Sequence, residues 1–210
     1  MPALFICTLC ISIKRSYVIR MGNEMQLTFD QRDAICEISN ISVGAAACYI
    51  SNITASDVDI SVPHFWGSDK VSFSDSISTK SLIYKMEFTS FMLGYFIFEI
   101  EDDFDYFCKM MDCSDNKSDH VRKNMNILME NSILPLERLM EQSVIIERIK
   151  DFFEDDYKFS HISSEQYVGI VFDMCVDNRI NGKITYVLAE NIAKNIANKF
   201  IDNGVALTTV

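Results

Sequence analysis

Asp33, Glu37 and Asn40 set two carboxylates and a carboxamide at spacings of four and three residues. On a helix turning about 100° per residue they fall within about 60° of one another. A carboxylate offers a charge-assisted contact to a partner's cation. A carboxamide is too weakly basic to take a proton from water and is suited to holding and orienting. Gly44, Ala47 and Ser51 continue the same face with small residues. They keep it shallow enough for another protein's backbone or side chains to come close. A solvated helix face that carries these groups by coincidence is the competing reading, and the face alone leaves both open.

The helix that would carry them begins at Thr28-x-x-Gln31, the capping-box spacing, and is expected to run to about Ser51. Ala34, Ile38, Ile41, Ala45 and Tyr49, with Ile35 at the margin, recur at helical period and predict the side buried against a sheet. Strand-like segments follow at Val58–Val62 and Val71–Phe73, then a hairpin over Ser81–Phe88 and Gly94–Ile100. The acidic turn Glu101-Asp102-Asp103 leads into a helix over Phe104–Met111, where carboxylates suit the positive helix start. The second half repeats the order: a helix from about Asp119 to Gln142, an amphipathic stretch to Phe153, a hairpin over Tyr167–Val176 and Lys183–Leu188, and a helix over Ala189–Ile201. The expected fold is α/β (α+β): two tandem pseudo-symmetric repeats, about 26–113 and 118–203, sharing a mainly antiparallel sheet with long helices packed on it.

The net charge of −11 disfavours binding to a nucleic-acid backbone. Seven cysteines, an odd number scattered through apolar runs, read as reduced core thiols of a cytoplasmic protein. Cys7-x-x-Cys10 has the spacing of half a metal site, but no second pair or nearby His completes a ligand set, so packing is the expected role and no metal is assigned. Ala3–Ile13 is apolar but too short to span a bilayer, and Lys14-Arg15 follows it where a signal peptide would have its basic residues first. Met21 makes a natural start, so a single domain is expected over residues 21–210 with residues 1–20 as an extension and no membrane insertion.

Asp33-x3-Glu37-x2-Asn40-x22-Pro63 resembles the signature of the CheC/CheX/FliY phosphatases of bacterial and archaeal chemotaxis, with every spacing kept. For residues of average usage, chance would produce four such matches about once in a thousand chains. Glu37-Ile-Ser-Asn40-Ile-Ser-Val-Gly44 resembles that family's E-I-G-N-I-G-x-G, and Val58-Asp-Ile-Ser-Val-Pro63 resembles the strand leading to its proline. The specific likeness covers about residues 30–65. Ser39 departs from the usual Gly, and Ala45-Ala46 from a frequent Asn-Ala pair. In the second half the matching helix has Asn131 at the amide position but Leu128 for the acid and Asn124 for the Asp, with no proline at the expected distance. One functional centre per chain is therefore expected.

The resemblance implies hydrolysis of the aspartyl phosphate of a CheY-like response regulator. Asn40 would hold water in line with the phosphorus, as the water-orienting Gln of GTPases does, and Glu37 would pair with a lysine of the regulator's own active site. Asp33, Gly44, Ala47 and Pro63 would support docking, Pro63 as a rigid buttress. The enzyme would need no cofactor of its own, the Mg²⁺ coming with the regulator. The competing reading is a non-catalytic, flagellar-switch-like module that binds a regulator or a CheD-type deamidase. No Walker A loop, Gly-x-Gly-x-x-Gly, Gly-x-Ser-x-Gly or His-Glu-x-x-His points to another enzyme class.

Overall fold

Thr28 starts the first helix by a reciprocal exchange: the Gln31 N–H donates to Thr28 Oγ1 at 3.2 Å, and the Thr28 N–H donates to Gln31 Oε1 at 2.9 Å. In the computed structural model, which describes residues 27–68, 80–88, 91–111, 117–153 and 167–207, this helix, α1, spans Phe29–Thr54. It stops at Ala55, which turns left-handed at φ 51° and donates its N–H to the Ser51 carbonyl. There follow β1 (Val58–Ile60), β2 (His64–Ser68), β3 (Ser81–Phe88), β4 (Phe91–Ile100), α2 (Phe104–Met110), α3 (Lys117–Met140), β5 (Ile145–Lys150), β6 (Tyr167–Val176), β7 (Ile180–Ala189) and α4 (Glu190–Leu207). The strand expected at Val71–Phe73 and the Cys7–Cys10 pair lie outside the described residues.

The strands form one seven-stranded sheet in the order β1-β6-β7-β4-β3-β5, with β2 also pairing β6, and every pairing is antiparallel. The order is symmetric about the β7–β4 pair. Each half of the chain contributes a hairpin, and each lends its first strand to the edge of the other's hairpin: β1 lies on β6, and β5 on β3. The two repeats are thus interlocked in one sheet. Gly94, with φ 152°, sits where β4 and β7 approach most closely, since a Cβ there would lie 1.8 Å from the Val187 carbonyl oxygen. At the far end of the same pair, the acidic turn is clamped to β7. Asn181 Nδ2 donates to Asp102 Oδ2 at 2.9 Å, Arg179 pairs with Asp103 at 2.5 Å, and Lys183 pairs with Glu101.

Three expectations need correction. The amphipathic stretch before Phe153 contains an edge strand, β5, because β3 has a free edge to pair with. His64–Ser68 is a strand that the sequence did not suggest, its ladder supplied by β6. The buried side of α1 is rotated from the expected stripe. Ala34 and Ile38 are buried as expected, together with Ile35, Ser39, Ser42, Val43, Ala46 and Ile50, whereas Ile41 is exposed and Ala45 and Tyr49 are half-buried. The reason lies in what α1 packs against, chiefly α3 and α4, so that small residues face inward and allow close approach. The hydroxyls this buries are satisfied within the helix: Ser39 Oγ donates to the Ile35 carbonyl at 2.7 Å and Thr54 Oγ1 to the Ile50 carbonyl at 2.8 Å. By length and composition α1 could cross a membrane, yet 56% of its most apolar window is buried inside the protein.

Candidate functional site

Three contacts fix the rotation of α1 and so decide which side chains it turns outward. Gln31 Nε2 donates to Asn198 Oδ1 on α4 at 2.9 Å. The Tyr49 hydroxyl donates to Asn124 Oδ1 on α3 at 3.3 Å. From the sheet, the Tyr186 hydroxyl donates to the Ser132 carbonyl on α3 at 3.4 Å and lies near Ser42 on α1. With that side anchored, Glu37 and Gly44 are exposed, and Asp33, Asn40, Ala47 and Ser51 are half-buried along one flank of the open face. Among the described residues, no hydrogen-bond or ion-pair partner engages the side chains of Glu37 and Asn40. A Cβ added at Gly44 would meet nothing within 4 Å. The acid and amide therefore stand free beside an open, low stretch of helix.

Cys36 lies beneath the two acids. Burial, then the nearby Asp33 and Glu37 carboxylates, pushes its thiol pKa up to about 12, so at neutral pH it is a protonated packing group and no nucleophile. Ser39 does not project into the site, because its hydroxyl is spent on the Ile35 carbonyl inside the core. The departure from Gly there leaves the outward face unaltered. Ser51 likewise turns its hydroxyl to the Ser56 carbonyl at 2.7 Å and ties off the helix end.

Pro63 is buried between β1 and β2, where the edge strand carries one more residue than β6 opposite it. Proline has no N–H to strand there. Ser61 repairs the ladder on both sides: its N–H donates to the Asp173 carbonyl at 2.9 Å, and its Oγ accepts the Asp173 N–H at 2.9 Å. This bulged edge follows directly from α1 and contacts it through β1.

The second helix presents no comparable face. Leu128 is fully buried, Asn131 Nδ2 donates back to the Ile127 carbonyl at 2.9 Å, and Asn124 accepts from Tyr49. Each position that would have carried the acid, the amide and the outer acid is committed to packing. Among the described residues no group of three or more His, Cys, Asp or Glu side chains is gathered to hold a metal ion. Sequence reasoning placed Ile41 and Cys48 in the core and did not single out Leu134, yet all three are exposed. Ile41 and Cys48 flank the outward arc of α1, a position that periodicity alone cannot tell from the core margin.

No family profile and no curated sequence matches the chain. Solved structures do. The structure of FliY from Thermotoga maritima superposes with a TM-score of 0.62 at 18% identity, covering 85% of this chain and 99% of that one. The FliM middle domain from H. pylori gives 0.61 at 12%, covering 82% and 99%, and FliM from that organism is also seen in a FliG–FliM complex. The chemotaxis protein CheX from Desulfovibrio desulfuricans gives 0.51 at 12%, covering 72% and 99%. With four described helices and an antiparallel sheet whose halves exchange their first strands, this chain has the fold shared by FliY, the FliM middle domain and CheX.

Proposed function

We propose that the protein is a phosphatase that hydrolyses the aspartyl phosphate of a CheY-like response regulator in the cytoplasm. The observation that carries this reading is the pairing of an exposed Glu37 with an unengaged Asn40 on one turn of α1, beside the open Gly44, at the spacing that resembles the chemotaxis phosphatases. Asn40 donates and accepts at once, so it holds a water in line with the phosphorus without acting as a base. Glu37 pairs with a lysine of the regulator and fixes the orientation of docking. Asp33 sits one turn before Glu37 and adds negative charge toward the same cation. The phosphoryl group and the Mg²⁺ that neutralises it arrive with the partner. The chain's own task is to place one amide.

The test is the decay of a phosphorylated receiver domain in the presence of Mg²⁺ and this protein. Acceleration that vanishes in Asn40→Ala and weakens in Glu37→Ala through poorer binding is the expected result. Unaccelerated decay across several receivers that bind the protein overturns it. A non-catalytic module that binds a regulator or a CheD-type deamidase is the second reading. It is favoured by the replacement of both acids on α3, where the remaining amide, Asn131, is bonded back to the Ile127 carbonyl, and by the equal likeness to the FliM middle domain, whose own partner in the solved complex is FliG. Binding without hydrolysis would establish it.

A further inference from the structure

Seven large apolar side chains are substantially exposed among the described residues, and three of them belong to the helix pair α1 and α3: Phe29 at the first residue of α1, and, further along, Ile41 at 46% and Leu134 at 39%. These helices run antiparallel. Tyr186 touches Ser42 on one and Ser132 on the other, while Tyr49, further along α1, meets Asn124, further back along α3. Counting from the Ser42–Ser132 level at about 1.5 Å per residue, Ile41 and Leu134 fall within about 2 Å of each other along the helix axes. Ala45 precedes Tyr49 by one turn and Pro135 follows Asn124 by three, so both lie on the flanks that meet, and both are half-buried. Glu37, Asp30 and Glu130 are exposed on the outward faces of the same two helices. The result is a low apolar seam, with Gly44 open beside it and carboxylates at its rim.

We infer that this seam, Ile41 and Gly44 of α1 with Leu134 and Pro135 of α3, is the apolar footing on which the receiver domain docks. The inference rests on the reading of Glu37 and Asn40 given above and extends it to the second helix. Apolar side chains grouped at one level beside a polar site are the usual centre of a protein interface. Glu37 and Glu130, in a chain of net charge −11, favour a partner that brings lysine or arginine to the seam, with the exposed Arg138 one turn beyond Leu134 an opposite charge at that end. The receiver lysine proposed to pair with Glu37 supplies one such cation beside the seam. On this account α3, whose residue at the acid position is the buried Leu128 and whose Asn131 is bonded back to the Ile127 carbonyl, supplies grip in place of chemistry, and Leu134 helps to decide which receiver is accepted.

The experiment titrates the full chain against a receiver domain held in its phosphorylated-like state by beryllofluoride and Mg²⁺. Ile41→Ser and Leu134→Ser should each weaken binding about tenfold, the worth of an apolar side chain no longer buried on association. Ile145→Ser, equally exposed but on the edge strand β5, should bind as the unaltered chain does. Unchanged binding in Leu134→Ser overturns the seam, and if Glu37→Ala is weakened in the same series the phosphatase site stands without it. Weakened binding in Leu134→Ser, in a protein that accelerates no receiver's decay, supports the seam and overturns the phosphatase reading. Failure of the unaltered chain to bind any receiver overturns both.

Discussion

The Tyr49 hydroxyl donates to Asn124 Oδ1 at 3.3 Å and so joins the helix that carries Glu37 and Asn40 to the helix whose equivalent acids are replaced. Asn124 stands where the second repeat would have had its outer acid. An asparagine there accepts the bond without placing a second charge near Glu130, whose carboxylate, after burial, already raises the Tyr49 pKa. The loss of symmetry between the repeats thus serves the rotation of α1. A double-mutant cycle on Tyr49→Phe and Asn124→Ala should give a coupling of about 1 kcal/mol in urea unfolding. Independent effects would mean that this contact does not hold the two helices in register.

Thr28→Ala removes the Oγ1 that accepts the Gln31 N–H, leaving the backbone N–H of residue 28 to donate to Gln31 Oε1, and should lower stability by about 1 kcal/mol. The loss should appear as a lower urea midpoint at unchanged slope, because the rest of the helix is held by packing.

Gly44 and Gly94 separate docking from folding. Gly44→Ala lies in an exposed helix interior with nothing within 4 Å, and should raise stability by up to about 1 kcal/mol while weakening receiver binding. Gly94→Ala drives a methyl into the Val187 carbonyl and should unfold the chain or cost more than about 3 kcal/mol, seen by circular dichroism on heating.

Asn40→Gln keeps the amide but moves it outward by one methylene. If Asn40 works by placing water, the variant should lose about a hundredfold in the rate of receiver dephosphorylation, since misplacement of about 1 Å is enough for that. Retained activity would show that an amide anywhere near the phosphoryl group suffices.

Stability should fall in alkali. Burial raises the pKa of Cys36 to about 12 from 9.0, and burial also raises those of Tyr84 and Tyr186 from 10.0. In each case the folded state keeps its proton longer than the unfolded one. Stability is therefore full below pH 9 and is lost as pH rises from there toward the folded values, with each group adding at most about 1.4 kcal/mol per pH unit. Urea unfolding at pH 8, 9 and 10 measures the slope, which should be shallower in Cys36→Ala. At pH 8 a thiol reagent should modify the exposed Cys48 at once and the buried Cys36 and Cys108 only on unfolding.

The sequence by itself determined where α1 begins and the common direction of Asp33, Glu37 and Asn40. Thr28 and Gln31 fix the helix start through local hydrogen bonds, aromatic and β-branched runs mark both hairpins, and the spacing of Asp33, Glu37 and Asn40 sets their common direction whatever the helix packs against. These are short-range facts, written within a few residues of where they act. Tertiary structure decided what depends on distant partners. The exchange of β1 and β5 between hairpins, the strand status of His64–Ser68, the inward turn of Ser39 and Ser42, and the exposure of Ile41 each follow from a neighbour far along the chain. A helical period gives the width of a buried stripe, but its centre is set by the helices laid against it. Here α3 and α4 approach closely over small residues and leave Ile41 on the surface.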